Sequence, residues 1–274
     1  VLPYCFLCRI ATYTNTLPEL LKLVEPIARN AGKAILKVYN SDDFEMKLKG
    51  DDSPLTAADL ASEVVIKAGL ESLDDQYTIV SEESKEVPYE ARSQADRLWV
   101  VDPLDGTKEF LKRNDEFCVC IALVEAGRPI LGIIHAPVTG ISYVSIKGHG
   151  AQAIDSTGEV RQLSRKPETR KPDAPNLRFG VSRSHLNQET QDYLLDFKEP
   201  VKTPMGSALK FCAIADDKMD AYPRFGPTME WDTAAGDLLV HETGGQLVHA
   251  ETGEKLKYNK PNLLNPYFIA KGWK

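Results

Sequence analysis

In the stretch Leu98-Trp99-Val100-Val101-Asp102-Pro103-Leu104-Asp105-Gly106-Thr107, two carboxylates stand three residues apart at the end of an apolar run. The run reads as a buried strand that delivers Asp102 to its end. Pro103-Leu104 then turns the chain, and Gly106-Thr107 opens the next element. Carboxylates projected into one tight turn repel each other unless a cation or a shared proton relieves them. Oxygen-only ligands suit a hard ion such as Mg²⁺ rather than zinc or copper. Asp, Pro and Gly are also ordinary turn residues, so the motif takes its weight from the other acidic segments.

Three such segments exist, and each has a structural reading of its own. Glu82-Glu83 follows the short strand Thr78-Ile79-Val80, and adjacent glutamates at a strand end are ordinarily solvated. Asp59 closes Thr56-Ala57-Ala58-Asp59, a near-match to a helix capping box. Asp232 lies in the first turn of a helix, where the dipole favours an acid by ~0.3–1 kcal/mol. Together they place four acidic clusters at strand ends or helix starts, where ligands collect in α/β proteins. Converging there, they would hold two or three Mg²⁺ ions, able to polarise a phosphoryl oxygen, lower the pKa of a water and stabilise a leaving oxygen. The second half adds Ser182-Arg183-Ser184-His185, Ser207-Ala208-Leu209-Lys210 and Tyr222-Pro223-Arg224. Beside a metal site these read as a pocket for a second anionic group, with Ser207 expected to cap the helix that carries Lys210.

The elements that must position these groups follow from periodicity. Residues 17–40 show helical spacing of Leu20, Leu23/Val24, Ile27, Ala31, Ile35 and Val38, with a kink or restart expected at Pro26. A hairpin or loop follows over Lys47–Pro54. Thr56 caps a helix over 57–73 whose apolar positions are Leu60, Val64 and Ala68. A polar linker then leads to the Leu98–Asp102 strand, and residues 117–154 read as a meander of strands. Pro and charge concentrate at 156–176, taken as a connection between halves. Beyond it, strands and helices alternate: helices at 187–198, 207–217 and 231–243, the last ended by Gly244-Gly245, with strands between and after them. The expected fold class is therefore α/β, with an α+β N-terminal half at 17–155 carrying most of the metal ligands. An α/β C-terminal half at 177–274 carries the substrate pocket and the last ligand, and 1–16 is an extension.

Bulk properties exclude several classes. With 42% hydrophobic and 27% charged residues, the chain has the balance of a soluble globular protein. A net charge of −7 makes a nucleic-acid polymer an unfavourable partner. Five cysteines (Cys5, Cys8, Cys118, Cys120 and Cys212) form no regular disulfide framework and fit a reducing compartment. Cys5 and Cys8 have metal-like spacing but no second pair, while Cys118 and Cys120 share one face of a strand. No apolar run approaches the ~20 residues of a membrane-spanning helix. The expected location is the cytoplasm, and the expected state a monomer or homodimer.

The motifs also carry a resemblance. WVVDPLDGT, the SEES that precedes it and EWDTAAG near the C-terminus resemble, in order and spacing, the Mg²⁺-dependent, lithium-sensitive inositol monophosphatase superfamily. LTAAD, GTKEF, SRSH, GSALKFC and YPRFGPT resemble its 3′(2′),5′-bisphosphate nucleotidase branch, which serves sulfate assimilation. The likeness runs from about residue 20 to the C-terminus. It implies a layered α/β/α/β/α sandwich, with Glu82, Asp102, the Leu104 carbonyl, Asp105 and Asp232 as metal ligands. It further implies that Asp59 and Thr107, helped by Glu82, activate a water. Asp105, Gly106, Thr107, His185, Ser207, Lys210, Arg224 and Asp232 would bind a small nucleotide, with Gly106 and Thr107 offering N–H groups to the scissile phosphate. The implied reaction is hydrolysis of the 3′-phosphate of adenosine 3′,5′-bisphosphate, and of its sulfated analogue, by metal-activated water. The alternatives are an inositol monophosphate or polyphosphate phosphatase of the same superfamily, and a non-catalytic nucleotide sensor.

Overall fold

In the computed structural model, which describes residues 14–41, 46–48, 54–84, 87–164, 172–183 and 187–273, the chain opens with helix α1 (Leu17–Tyr39). Thr16 and Glu19 form a capping box at its start, satisfying two N–H groups that the helix cannot. The helix continues through Pro26 without a restart, one of the two outcomes expected there. Pro26 lies on the exposed face, as does Lys22 one turn before it, so the carbonyl that loses its N–H partner has access to water. A hairpin of β1 (Met46–Leu48) and β2 (Pro54–Thr56) leads into α2 (Ala57–Glu71).

Helix α2 buries the opposite face from the one its apolar residues suggest. Leu60 is 46% and Val64 67% exposed, and Ala68 is exposed too. The buried stripe is Ala58, Asp59, Ser62, Glu63, Ile66 and Leu70. Half of it is polar, which defeats a hydrophobic-periodicity reading; the site below explains why.

Next come β3 (Thr78–Ser81), α3 (Tyr89–Arg92) within the segment expected as a linker, β4 (Arg97–Asp105) and α4 (Thr107–Leu111). The meander continues through β5 (Cys118–Glu125), β6 (Arg128–Ala136), β7 (Ile141–Ile146), β8 (Gly150–Ile154) and β9 (Val160–Leu163). Strands β3 to β9 form one seven-stranded sheet in sequence order, with β3 and β4 parallel and the rest antiparallel. Strand β9 lies inside the segment expected as a connection. As an edge strand it exposes Val160, Arg161 and Gln162 and buries only Leu163, so its composition reads as loop.

The second sheet draws on β10 (Arg178–Ser182), β11 (Val201–Met205), β12 (Ala221–Arg224), β13 (Gln246–His249) and β14 (Phe268–Lys271), in the order β11-β10-β12-β14-β13. Between these strands run α5 (Gln188–Leu194), α6 (Leu209–Ala215) and α7 (Glu230–Glu242). Helices α1 and α2 cover one face of the first sheet. Helix α7 packs on β4 to β8 on one side and on β13 and β14 on the other, with α6 beside it. Helix α5 packs against β12, with Tyr193 and Phe197 against Phe179. These layers make the α/β/α/β/α sandwich that the family resemblance implies.

Period-two alternation decides what the inner helix layer sees. In β4, Trp99 and Val101 join the α1/α2 core, whereas Leu98 and Val100 join the core shared with α6 and α7. Strand β5 does likewise, with Cys118, Cys120, Ala122 and Val124 facing the inner layer. The next inward position on β4 after Val100 is Asp102.

His135 on β6 packs its ring against Gly32 of α1, where an added Cβ would lie 2.5 Å from ring Cδ2. Its Nδ1 sits 3.0 Å from Ser142 Oγ. Burial, with Arg29 and Lys33 nearby, pulls the imidazole from its usual 6.5 to about 4. The unfolded chain therefore takes up a proton that the folded state refuses. Stability falls as pH drops from about 6.5 toward 4, by about 2 kcal/mol at pH 5. In urea unfolding at pH 7 and pH 5, His135→Gln should remove about that much of the acid destabilisation; an unchanged pH slope would contradict the reading.

Candidate active site

A bulge in β4 solves the geometric problem posed by two carboxylates three residues apart. In a regular strand, residues i and i+3 point to opposite faces. Here Asp102 pairs with Cys120 while Asp105 pairs with Cys118, so three steps on β4 match two on β5. The extra residue puts both acids on the inner face. Pro103, lacking an N–H, is tolerated at such an irregularity. Leu104 N–H donates to Asp102 Oδ1 at 3.0 Å, and Ser62 Oγ donates to the Pro103 carbonyl at 2.6 Å, tying the bulge to α2.

Helix starts and strand ends bring in the other acids. Oxygens of Glu82, Asp102 and Asp232 all lie within 4.8 Å of one another. Glu82 follows β3, and its N–H donates to the Val101 carbonyl at 3.2 Å. Asp232 sits at the third position of α7 and accepts from Met229 N–H at 2.8 Å. Asp59 begins α2 and does serve as a cap: its Oδ2 accepts from Thr56 N–H at 2.7 Å and from Thr56 Oγ1 at 2.6 Å. Its Oδ1 accepts from Thr107 Oγ1 at 3.2 Å, and the Leu104 carbonyl lies 3.3 Å from the same hydroxyl. The structural and chemical readings of Asp59 are thus one arrangement.

Glu82, Asp102, Leu104, Asp105, Gly106, Thr107, Ser207, Lys210, Arg224 and Asp232 all line a single cavity of about 240 Å³. Asp59 stands behind Thr107, and His185 lies outside the described residues, as do Ser184, Cys5 and Cys8. Ser207 Oγ accepts the first N–H of α6, that of Leu209, at 3.4 Å, but Ser207 does not occupy the N-cap position expected for it. It holds a left-handed conformation with φ of 50°, so the helix starts two residues later, with Ala208 as its N-cap. Ala208 N–H instead donates to Asp105 Oδ2.

Electrostatics here are dominated by burial and repulsion. Burial first, then the charges of Glu82, Asp105 and Asp232, push Asp102 well above the usual carboxylate range. Burial, then Asp105 and Glu82, push Asp232 up in the same way. Asp105 is raised to about 6 by burial, against the opposing pull of Lys210 and the Ala208 N–H. Lys210 is pulled down to about 8 by burial, though Asp105 opposes this. Its ammonium donates to the carbonyls of Met205 and Ser207 at 3.1 and 2.7 Å and lies 4.7 Å from the Tyr222 ring centroid. Arg224 Nη2 donates to the Pro227 carbonyl at 3.0 Å, while its buried Nε has no hydrogen-bond partner among the described residues. Buried oxygens held together against their own repulsion are a donor set for a hard cation.

Several supports escape a sequence reading. Glu63, one turn beyond Asp59, accepts from Ser81 Oγ at 2.7 Å and from Ser84 Oγ, bracketing the loop that carries Glu82. Glu116 binds Arg183 and accepts the Gly206 N–H at 2.8 Å, fixing the approach to α6. The one available signal was helical spacing: Asp59, Ser62 and Glu63 share a face.

Two sheets interleaved with helices around a carboxylate-lined cleft define a recognisable class. The model of the inositol monophosphatase family matches residues 16–272, and the chain belongs to that family. It is 43% identical over 251 residues to the 3′(2′),5′-bisphosphate nucleotidase CysQ of Salmonella typhimurium, covering 91% of this chain and 98% of that one. Its fold superposes on the crystal structure of CysQ from Bacteroides thetaiotaomicron with a TM-score of 0.80 and 36% identity, covering 92% and 96% of the two chains. A more distant fold relative is an IMPase/NADP phosphatase complexed with Mg²⁺ and phosphate, at 18% identity and a TM-score of 0.78, covering 94% and 92%.

Gly106 holds φ of 97°, and a Cβ there would lie 2.9 Å from the Glu116 carbonyl and 3.1 Å from Ser207 Cβ. Gly106→Ala should therefore lower stability by about 2 kcal/mol and disturb the junction between Asp105 and Thr107. Chemical denaturation checks this, and wild-type stability would show that the loop yields more readily than its contacts imply.

Proposed function

We propose that the chain is a Mg²⁺-dependent phosphatase that hydrolyses the 3′-phosphate of adenosine 3′,5′-bisphosphate to AMP and phosphate. The observation that carries this reading is the juxtaposition, in one cavity, of the Glu82/Asp102/Asp232 oxygens with Lys210 and Arg224. The names of the curated relatives agree with it.

Glu82, Asp102, Asp105, Asp232 and the Leu104 carbonyl would hold two or three Mg²⁺ ions. Bound there, Mg²⁺ would polarise phosphoryl oxygens and lower the pKa of a coordinated water. Thr107 accepts a proton from the attacking water as its own hydroxyl proton passes to Asp59 Oδ1, with Glu82 assisting. Water adds to phosphorus as the P–O bond to the ribose breaks, and the ribose oxygen takes up a proton. Gly106 and Thr107 offer backbone N–H groups to the transferring phosphate.

Lys210 uses two of its three N–H donors on carbonyls and has one for an anion. The buried Arg224 Nε is suited to the remaining 5′-phosphate. His185 and Ser207 complete the proposed nucleotide contacts. Among the described residues no helix is long and apolar enough to cross a membrane. The free buried thiols of Cys118, Cys120 and Cys212 support a reducing, cytoplasmic setting.

Phosphate release with Mg²⁺ from adenosine 3′,5′-bisphosphate and from inositol 1-phosphate, with and without millimolar Li⁺, tests the proposal. Preference for the bisphosphate and loss of activity in Li⁺ are expected. Preference for inositol 1-phosphate would overturn the substrate, and no release from either would overturn the phosphatase.

Asp105→Asn should lower kcat by about a hundredfold or more, the scale of a lost electrostatic stabiliser; near-wild-type turnover at ordinary Mg²⁺ would remove Asp105 from the metal set. Arg224→Ala should raise KM for the bisphosphate about tenfold, the value of one charged hydrogen bond, and leave a sugar monophosphate nearly unaffected. Equal effects on both substrates would place Arg224 outside the 5′-phosphate pocket.

A further inference from the structure

The bulge that gathers the acids also stacks them on two thiols. Cys118 and Cys120 are 0% and 1% exposed, on the β5 face turned toward α6 and α7. The Sγ atoms lie 3.9 Å apart, and Cys118 Sγ lies 3.9 Å from Asp105 Oδ2. One ligand atom from each of Asp105, Cys118 and Cys120 falls within 4.8 Å of the other two. Two sulfurs and an oxygen are a poor set for Mg²⁺, which takes oxygen, and a good one for a soft ion. A tetrahedral ion with metal–sulfur bonds of about 2.3 Å holds its sulfurs roughly 3.8 Å apart. The Cys118–Cys120 edge already has about that length, at 3.9 Å.

We infer that Cys118, Cys120 and Asp105 form a site for a thiophilic divalent cation, Zn²⁺ or Cd²⁺, that shares Asp105 with the hard-cation cluster. Entry is past Asp105, which lines the cavity. On binding, each thiol releases one proton to solvent, and two metal–sulfur bonds and one metal–oxygen bond form. No electron is transferred, and a water takes the fourth position. A soft ion held there draws Asp105 away from the Glu82/Asp102/Asp232 oxygens, so it inhibits by competing for a shared ligand. The inhibition rests on the proposed phosphatase reading; the binding does not.

The test is a Cd²⁺ titration followed by the ultraviolet sulfur-to-metal charge-transfer absorption, with phosphate release measured in parallel at fixed Mg²⁺. The protein carries Cys5→Ser and Cys8→Ser, so that this separate pair contributes nothing. We expect one equivalent of Cd²⁺ to produce the band and activity to fall with it. Adding Cys118→Ala and Cys120→Ala should abolish the band and raise the half-inhibitory Cd²⁺ concentration at least tenfold. If that combination fails to fold, judged by its circular dichroism against the starting protein, each single alanine variant is read for the band instead.

No band in the starting protein, or a band that survives removal of both thiols, overturns the site. Equal Cd²⁺ inhibition with and without the thiols overturns the shared-ligand mechanism. A band that forms in a protein with no phosphate release in Mg²⁺ alone leaves the site standing and removes the phosphatase reading.

Discussion

Like charges crowded into a low-dielectric cleft are the constraint around which this molecule is arranged. Glu82, Asp102, Asp105 and Asp232 come from the loop after β3, from β4 and from α7, which would separate their carboxylates if electrostatics alone governed packing. The apolar layers on both faces of β4 and β5 hold them instead. The fold therefore keeps a repulsive cluster in place, and a ligand that relieves it stabilises the folded state by mass action. On the proposed reading, that ligand is a cation.

The local devices serve this constraint. The β4 bulge turns an i,i+3 pair into same-face neighbours opposite Cys118 and Cys120. Ser62 and Glu63 reach from α2 to fix the bulge and the Glu82 loop, and Asp59 joins the helix start to Thr107. Opposite the acids, the second sheet presents Arg224 from β12, and α6 presents Lys210 beside it. The Glu116–Arg183 pair and the Gly206 N–H bind the loop before α6 to the segment before β5. One side of the cleft is thus acidic, the other basic. A doubly anionic small molecule that engages both the acidic side, through cations, and the basic side, directly, matches that polarity.

Much of this was legible in residue types. The apolar run ending in Asp102-Pro103-Leu104-Asp105-Gly106 announced a strand and a charged turn, and strand-helix alternation after residue 177 announced the second sheet. The face of α2 was not legible, because Asp59, Ser62 and Glu63 are buried for their hydrogen bonds while Leu60 and Val64 face solvent. Ser207 looked like the N-cap because serine often is one; it does accept the Leu209 N–H, but from a left-handed turn one residue before the N-cap. Strand β9 hid in a charged segment because an edge strand has little to bury. Pro26 suggested a kink or a restart; the restart does not occur, because one missing N–H on a solvated face is tolerable. The misses share a cause: tertiary contacts override a local preference where the preference is weak.

The central claim, that the cleft is built around relief of carboxylate repulsion by cations, is tested most directly by calorimetric titration with Mg²⁺ at pH 7 and at pH 5. The account predicts saturable binding at pH 7 that weakens at pH 5, because burial and mutual repulsion raise Asp102 and Asp232 and protons then compete with the ions for the same oxygens. No saturable binding at millimolar Mg²⁺, or an equal affinity at both pH values, would contradict it.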